Sequence, residues 1–275
     1  MTKGAQSLLL LIVAGAVMVG LTLWRMGLIS FPHAQAPVVL MPEKPLVAAP
    51  EPQEAEPPVR HPLGTRAVHL PLSPMEISRA LAELLGRDAV DSFLQADDFP
   101  RRFVATVDNL ARDHAPRLLW PVQPAPDRFT VDQTVNGPVI GIENASRYTP
   151  FVLMAEAVDP RRAVDLYARL YPLLQRAYED LGFPNRYFND RLVAVIDVLL
   201  ATPEVQYPVS LELTQVKGPI PSERPWVRYE FADPELESLS AGQKILLRMG
   251  PVNQRRLKTK LEAIRAELVM RFPRR

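Results

Sequence analysis

Proline is the residue that most narrows what this chain can become. Of 29 prolines in 275 residues, 11 fall between positions 31 and 74, among them Pro50, Pro52, Pro57 and Pro58. Each fixes φ and lacks an N–H, so a stretch this dense supports neither helix nor ladder. Residues 26–72 are therefore expected as an extended, polyproline-like stalk. At ~3.1 Å per residue the proline-dense part, residues 31–74, has an upper reach on the order of 130 Å. Beyond the stalk the prolines change role. Ser73-Pro74, Thr149-Pro150, Asp159-Pro160, Thr202-Pro203 and Asp233-Pro234 each place a capping residue before a proline, the pattern of a helix start.

Residues 73–275 thus read as one mainly α, compact multi-helix domain with one or two small β-hairpins. A first helix is expected from Pro74 to Leu85, with Ser73 and Glu76 forming a capping box and Gly86 ending it. A short helix follows Asp88, and a third carries Arg101 to Leu110. The helix after Asp159 sets Leu166, Leu170, Leu174 and Leu181 on one face, with a kink expected at Pro172. Tyr167, Tyr171 and Tyr178 share its spacing and read as core. Asp190 to Leu200 is apolar almost all round, which predicts a central position. Two more helices, Pro234 to Arg248 and Pro251 to Arg271, follow. Strands are expected on either side of Asn136-Gly137, a favoured hairpin dipeptide, and in the alternating Val209, Leu211, Leu213 and Val227, Tyr229, Phe231.

Leu8 to Trp24 is a run of 17 residues in which only Thr22 is polar. At 1.5 Å per residue it spans roughly 25 Å, enough for the thinner end of a bilayer core. Trp24 and Arg25 end it as an interfacial aromatic and cation would. A single transmembrane anchor is expected over residues 8–25, with residues 1–7 as a short cytoplasmic segment. The one small-x-small motif downstream, Ala34-Gln35-Ala36, is too distant for signal cleavage and is followed by Pro37. Ala16 and Gly20 form a small-xxx-small pair through which two anchors could meet in a homodimer, although ordinary membrane helices carry such residues too.

Composition removes several classes of function. Cysteine is absent, so disulfides, thiol catalysis and cysteine-ligated metals are excluded. Three of the four histidines lie in the stalk, which leaves no histidine-rich metal centre, and no cofactor is expected. With 32 basic against 31 acidic residues there is no global field to steer nucleic acid, and none is expected as partner.

The chemistry-bearing candidates are charges placed on apolar helices. Asp190 and Asp197 lie seven residues apart on one stripe, and Arg101 and Asp108 repeat that spacing. Buried carboxylates need partners. The expected polar network or pocket has Arg101 or Arg102 reaching Asp190 or Asp197. Asn109 and Asn189 complete the hydrogen bonds, with Asp108 and Arg191 alongside. The competing reading uses Asp190, Asp197 or Glu156 as an acid–base pair, which an axial spacing of ~10 Å on one helix fits poorly. From Lys244 onward there are ten basic and two acidic residues, a net +8. Leu257, Leu261, Ile264 and Leu268 mark an inner face there. Arg255, Arg256, Lys258 and Lys260 are expected to point outward, as a basic surface for anionic lipid, cell-wall polymer or an acidic envelope protein, or simply as a solvated face with a Lys258–Glu262 pair. Asn144-Ala145-Ser146 matches a glycosylation acceptor.

The segments Arg101–Leu110 (RRFVATVDNL), Phe188–Leu192 (FNDRL), Ala201–Val205 (ATPEV), Tyr229–Pro234 (YEFADP) and Ser240–Lys244 (SAGQK) resemble a family of uncharacterised bacterial envelope proteins, the domain of unknown function 3014. The resemblance spans about Leu70 to Phe272. It implies a bacterial single-pass protein of the cytoplasmic membrane and carries over no catalytic residue. The expected role is a membrane-tethered periplasmic binding or scaffolding module. The alternative is a peptidoglycan-directed hydrolase.

Overall fold

Ser73 begins the first helix by the device its sequence announces. Its Oγ accepts the Glu76 N–H, and the Glu76 carboxylate accepts the Ser73 N–H at 2.8 Å. The computed structural model describes residues 72–214 and 227–273, all within one compact unit, Glu54–Arg275. The expected anchor, most of the stalk and the Ala16/Gly20 pair lie outside the described residues. Among the described residues no helix is long and apolar enough to cross a membrane.

The elements run α1 (Pro74–Leu85), α2 (Arg87–Phe93), α3 (Phe99–Leu110), a 3-10 turn (Arg117–Leu119), β1 (Val131–Thr134), β2 (Gly137–Ile140), α4 (Asn144–Ala157), α5 (Pro160–Asp180), α6 (Phe188–Leu200), β3 (Leu211–Leu213), β4 (Tyr229–Phe231), α7 (Pro234–Glu237), α8 (Ala241–Arg248) and α9 (Pro251–Arg271). The body is mainly helical with two small antiparallel hairpins. Asp159 caps α5 by accepting the Arg162 N–H at 3.0 Å, and Asp233 caps α7 by accepting the Glu235 N–H at 2.8 Å.

Helix α9 packs on α4, α5 and α6, while α3 packs on α5, α6 and α8. Their shared core includes Val104, Leu170, Leu174, Phe188, Val195 and Leu268. Burying a side chain such as Leu174 contributes about 1.5–3 kcal/mol. A smaller core of Ile140, Val209, Leu211, Phe231 and Leu247 joins the hairpins to α8. The two ribbons touch where the Ile140 N–H donates to the Val209 carbonyl at 2.9 Å. At Gly242 a Cβ would stand 2.5 Å from Leu199 Cδ2 and 2.9 Å from the Leu110 carbonyl oxygen, so α8 reaches α3 and α6 only because that position is glycine.

Five local expectations need correction. Thr149-Pro150 does not start a helix: α4 begins at Asn144 and runs through Pro150. The cost of an internal proline, about 3 kcal/mol, is offset by tertiary bonds around the first turn. Asn144 donates to the Thr130 and Gly141 carbonyls at 2.6 and 3.0 Å, and Asn253 of α9 donates to the Ala145 carbonyl at 2.8 Å. Thr202-Pro203 ends a helix instead of starting one, because Thr202 Oγ1 donates back to the Leu199 carbonyl at 2.6 Å. The helix expected from Pro234 to Arg248 is two, α7 and α8, since Ser240 and Gln243 form a second capping box between them. The hairpin turn is Val135-Asn136. Thr134 pairs with Gly137, which adopts φ +112°. Helix α6 is not central all round, because Ala194 and Asp197 face solvent. Helix α5 continues through Pro172, and Tyr167 and Tyr178 are core residues.

Candidate functional site

On α3, Val104, Val107 and Asp108 fall on the inward stripe, which carries a carboxylate into the packed corner where α3, α5 and α6 meet. Asp108 is 5% exposed. Arg191, in the first turn of α6, donates Nε to Asp108 Oδ1 and Nη2 to the Asp108 carbonyl, both at 2.8 Å. Arg112, one turn beyond Asp108, donates Nη2 to Oδ2 at 2.5 Å. One carboxylate thus holds two guanidiniums.

Tyr178 of α5 forms the back of this corner. Its ring stacks on Phe183 at 4.6 Å and meets Phe188 at 5.5 Å. Burial raises its phenol above the usual range, and the Asp108 charge adds to that, while Arg191, Arg186 and Arg112 act in the opposite direction. The loop carrying Arg186 is pinned by Gln175, whose Nε2 donates to the Arg186 carbonyl at 2.9 Å and whose Oε1 accepts the Phe188 N–H at 2.9 Å. Asn189, fully buried, accepts the Tyr167 hydroxyl at 3.0 Å. Desolvation drives the Tyr167 phenol well above its normal range, so it is held as a neutral donor.

The expected network is only partly the one that forms. Asp108 and Arg191 meet beside Tyr178, whereas Asn189 pairs with Tyr167, eleven residues earlier on α5. Arg102 does not reach Asp190 or Asp197. Its guanidinium donates to the carbonyls of Asp97 at 3.0 Å, Leu118 at 2.7 Å and Trp120 at 3.4 Å, fastening the 3-10 turn to α3. Arg101 is exposed. Asn109 turns back to the Ala105 carbonyl of its own helix at 2.7 Å. Asp197 is held by Arg265 of α9, and Asp190 is half-buried near Tyr167 and Tyr171. Glu156 faces Arg256 at 3.8 Å. Sequence reasoning passed over Arg112, although its i,i+4 spacing from Asp108 is the signal that finds it.

The basic surface is also rearranged. Lys258 Nζ donates to the Thr202 carbonyl at 2.9 Å and Lys260 Nζ to the Val158 carbonyl at 2.5 Å, so both lysines close the C-terminal ends of other helices. Of the four residues expected to point outward, Arg255 is the one classed as exposed. The Lys258–Glu262 pair is not among the ion pairs of the described residues. Asn144 is 1% exposed and fully bonded, so in the folded chain it is no glycan acceptor. Among the described residues no three metal-ligating side chains cluster.

A sequence model described as "Protein of unknown function (DUF3014)" matches residues 99–265, well over half of the chain. The chain belongs to this family. The DUF3014 match opens at the start of α3 and closes within α9, so it encloses Asp108, Arg112, Tyr178 and Arg191 and leaves out α1 and α2. It carries no information on a membrane anchor or an envelope location. Neither a search of curated proteins nor one of solved structures returns a match.

Proposed function

We propose that this DUF3014 protein is a binding or scaffolding module of the bacterial envelope, tethered to the cytoplasmic membrane by residues 8–25 and displayed in the periplasm on the stalk of residues 26–72. The observation carrying the binding role is how the body uses its acidic groups. Asp108, Asp197 and Glu156 each face an arginine of another element, which ties helices together and engages Asp197 and Glu156, two of the carboxylates that an acid–base reading would use. The tether rests on the apolar run Leu8–Trp24 alone.

Membrane fractionation combined with reporter fusions at the C-terminus tests the topology. Carbonate-resistant sedimentation, with activity from an extracytoplasmic reporter only, is the expected result. A soluble native chain would refute the tether. Cleavage of purified peptidoglycan by the full-length protein, abolished in Asp197→Asn, would replace the module with a hydrolase.

A further inference from the structure

We infer that the corner formed by Arg112, Arg191 and Tyr178 around Asp108 is a binding site for a compact dianionic oxyanion, with a phosphate monoester as the group it fits best. The inference deepens the binding-module reading and rests on it for the setting, but its chemistry is local to α3, α5 and α6.

Charge is the first argument. Arg191 alone satisfies Asp108 through the carboxylate and the backbone carbonyl, yet a second guanidinium, Arg112, is held on the other oxygen. Two guanidiniums on one carboxylate leave a surplus of +1, and Arg186 also lies in electrostatic reach of the Tyr178 phenol beside them. A surplus of like charge costs stability unless an anion completes it.

Donor geometry is the second. Arg112 spends one of its five N–H groups within the protein and Arg191 spends two, so both keep donors free. The Arg112 side chain is 51% exposed and that of Arg191 28%, so those donors open to solvent from anchored bases. A guanidinium pre-set by a carboxylate loses little freedom on binding, and its planar fork matches phosphate oxygens.

The third observation is independent of the arginines. Tyr178 is 2% exposed, its ring locked between Phe183 and Phe188, and its hydroxyl makes no hydrogen bond to another described residue. That hydroxyl is not among the sealed, unpartnered side-chain atoms of the described residues, which are Trp120 Nε1 and Thr130 Oγ1. It therefore reaches the surface at this corner and offers a third donor direction. Donors drawn from three separate side chains can engage several oxygens of a phosphate, whereas a planar carboxylate is satisfied by a single guanidinium fork.

The test is calorimetric titration of the full-length protein, in phosphatidylcholine nanodiscs or free in solution according to how it fractionates, with inorganic phosphate, glycerol 3-phosphate and dihexanoyl phosphatidic acid. Binding of phosphate or glycerol 3-phosphate is expected, weakened about tenfold in Tyr178→Phe, which keeps the ring packing, and at least as much in Arg112→Gln. Arg79→Gln on α1 should bind as the wild type does. Tighter binding of dihexanoyl phosphatidic acid than of glycerol 3-phosphate assigns the group to a lipid headgroup, and equal binding assigns it to a free phosphomonoester. No binding of any of the three, or equal affinity in wild type, Tyr178→Phe and Arg112→Gln, would overturn the site. Because the readout is affinity and not location, a failed site and a failed tether are told apart.

Discussion

Asp108 is tied to Arg191 and Arg112 through both of its oxygens, so removing its charge strands two guanidiniums that were placed around it. Asp108→Asn should lower unfolding stability by about 1–3 kcal/mol, the range for losing charged hydrogen bonds whose arginine partners keep solvent access, read as a shift in denaturant midpoint at unchanged m-value. Arg112→Gln should cost less than about 1 kcal/mol, because its side chain is half in water. An unchanged midpoint in Asp108→Asn would mean the node is decorative. Gly242 gives a test of packing without charge. Alanine there improves helix propensity but puts a methyl 2.5 Å from Leu199 Cδ2, and a net loss of about 1–3 kcal/mol is expected in thermal melts.

Helix ends carry the next level of organisation. Lys258 and Lys260 each place an ammonium on the carbonyls that close α6 and α4, so the basic face of α9 fastens one helix to two others. Lys258→Met and Lys260→Met should each destabilise by about 0.3–1 kcal/mol, less in high salt, with additive losses in the double variant. If neither substitution moves the melting temperature, the contacts are not held in solution. What was legible here divides by range. Ser73, Asp159 and Asp233 act within four residues of themselves, and the sequence announces them. Thr149-Pro150 carries the same signature but is overruled from over a hundred residues away by Asn253 on Ala145, and Thr202-Pro203 by its own hydroxyl turning back to Leu199, with Gln254 of α9 on the Pro203 carbonyl. The same limit hid the partner of Asp197, since seven-residue spacing on α6 cannot say that α9 will supply Arg265.

Across the whole described body, the apolar stripes of α3, α5 and α6 were readable because periodicity reports which face is inward. Which inward face meets which is a matter of topology, and no single stripe encodes it. Buried phenols offer a global measurement. Burial pushes the Tyr207 phenol up to about 12, and its hydroxyl donates to the Leu247 carbonyl. In the unfolded chain the same phenol titrates near 10. Its stabilising contribution is therefore complete below pH ~10 and lost as the pH rises towards ~12. Denaturation midpoints should fall over that window, and Tyr207→Phe should be less stable at neutral pH but show a shallower alkaline decline. An unchanged slope in the variant would assign the decline to other groups.

Helix α9 has a consequence for how the molecule is made. It touches α4, α5 and α6 but follows all of them along the chain. During synthesis those three helices emerge with their shared seam uncovered and must wait for the strap that seals it. Until that strap arrives, the unfinished chain exposes apolar surface that nothing of its own yet covers.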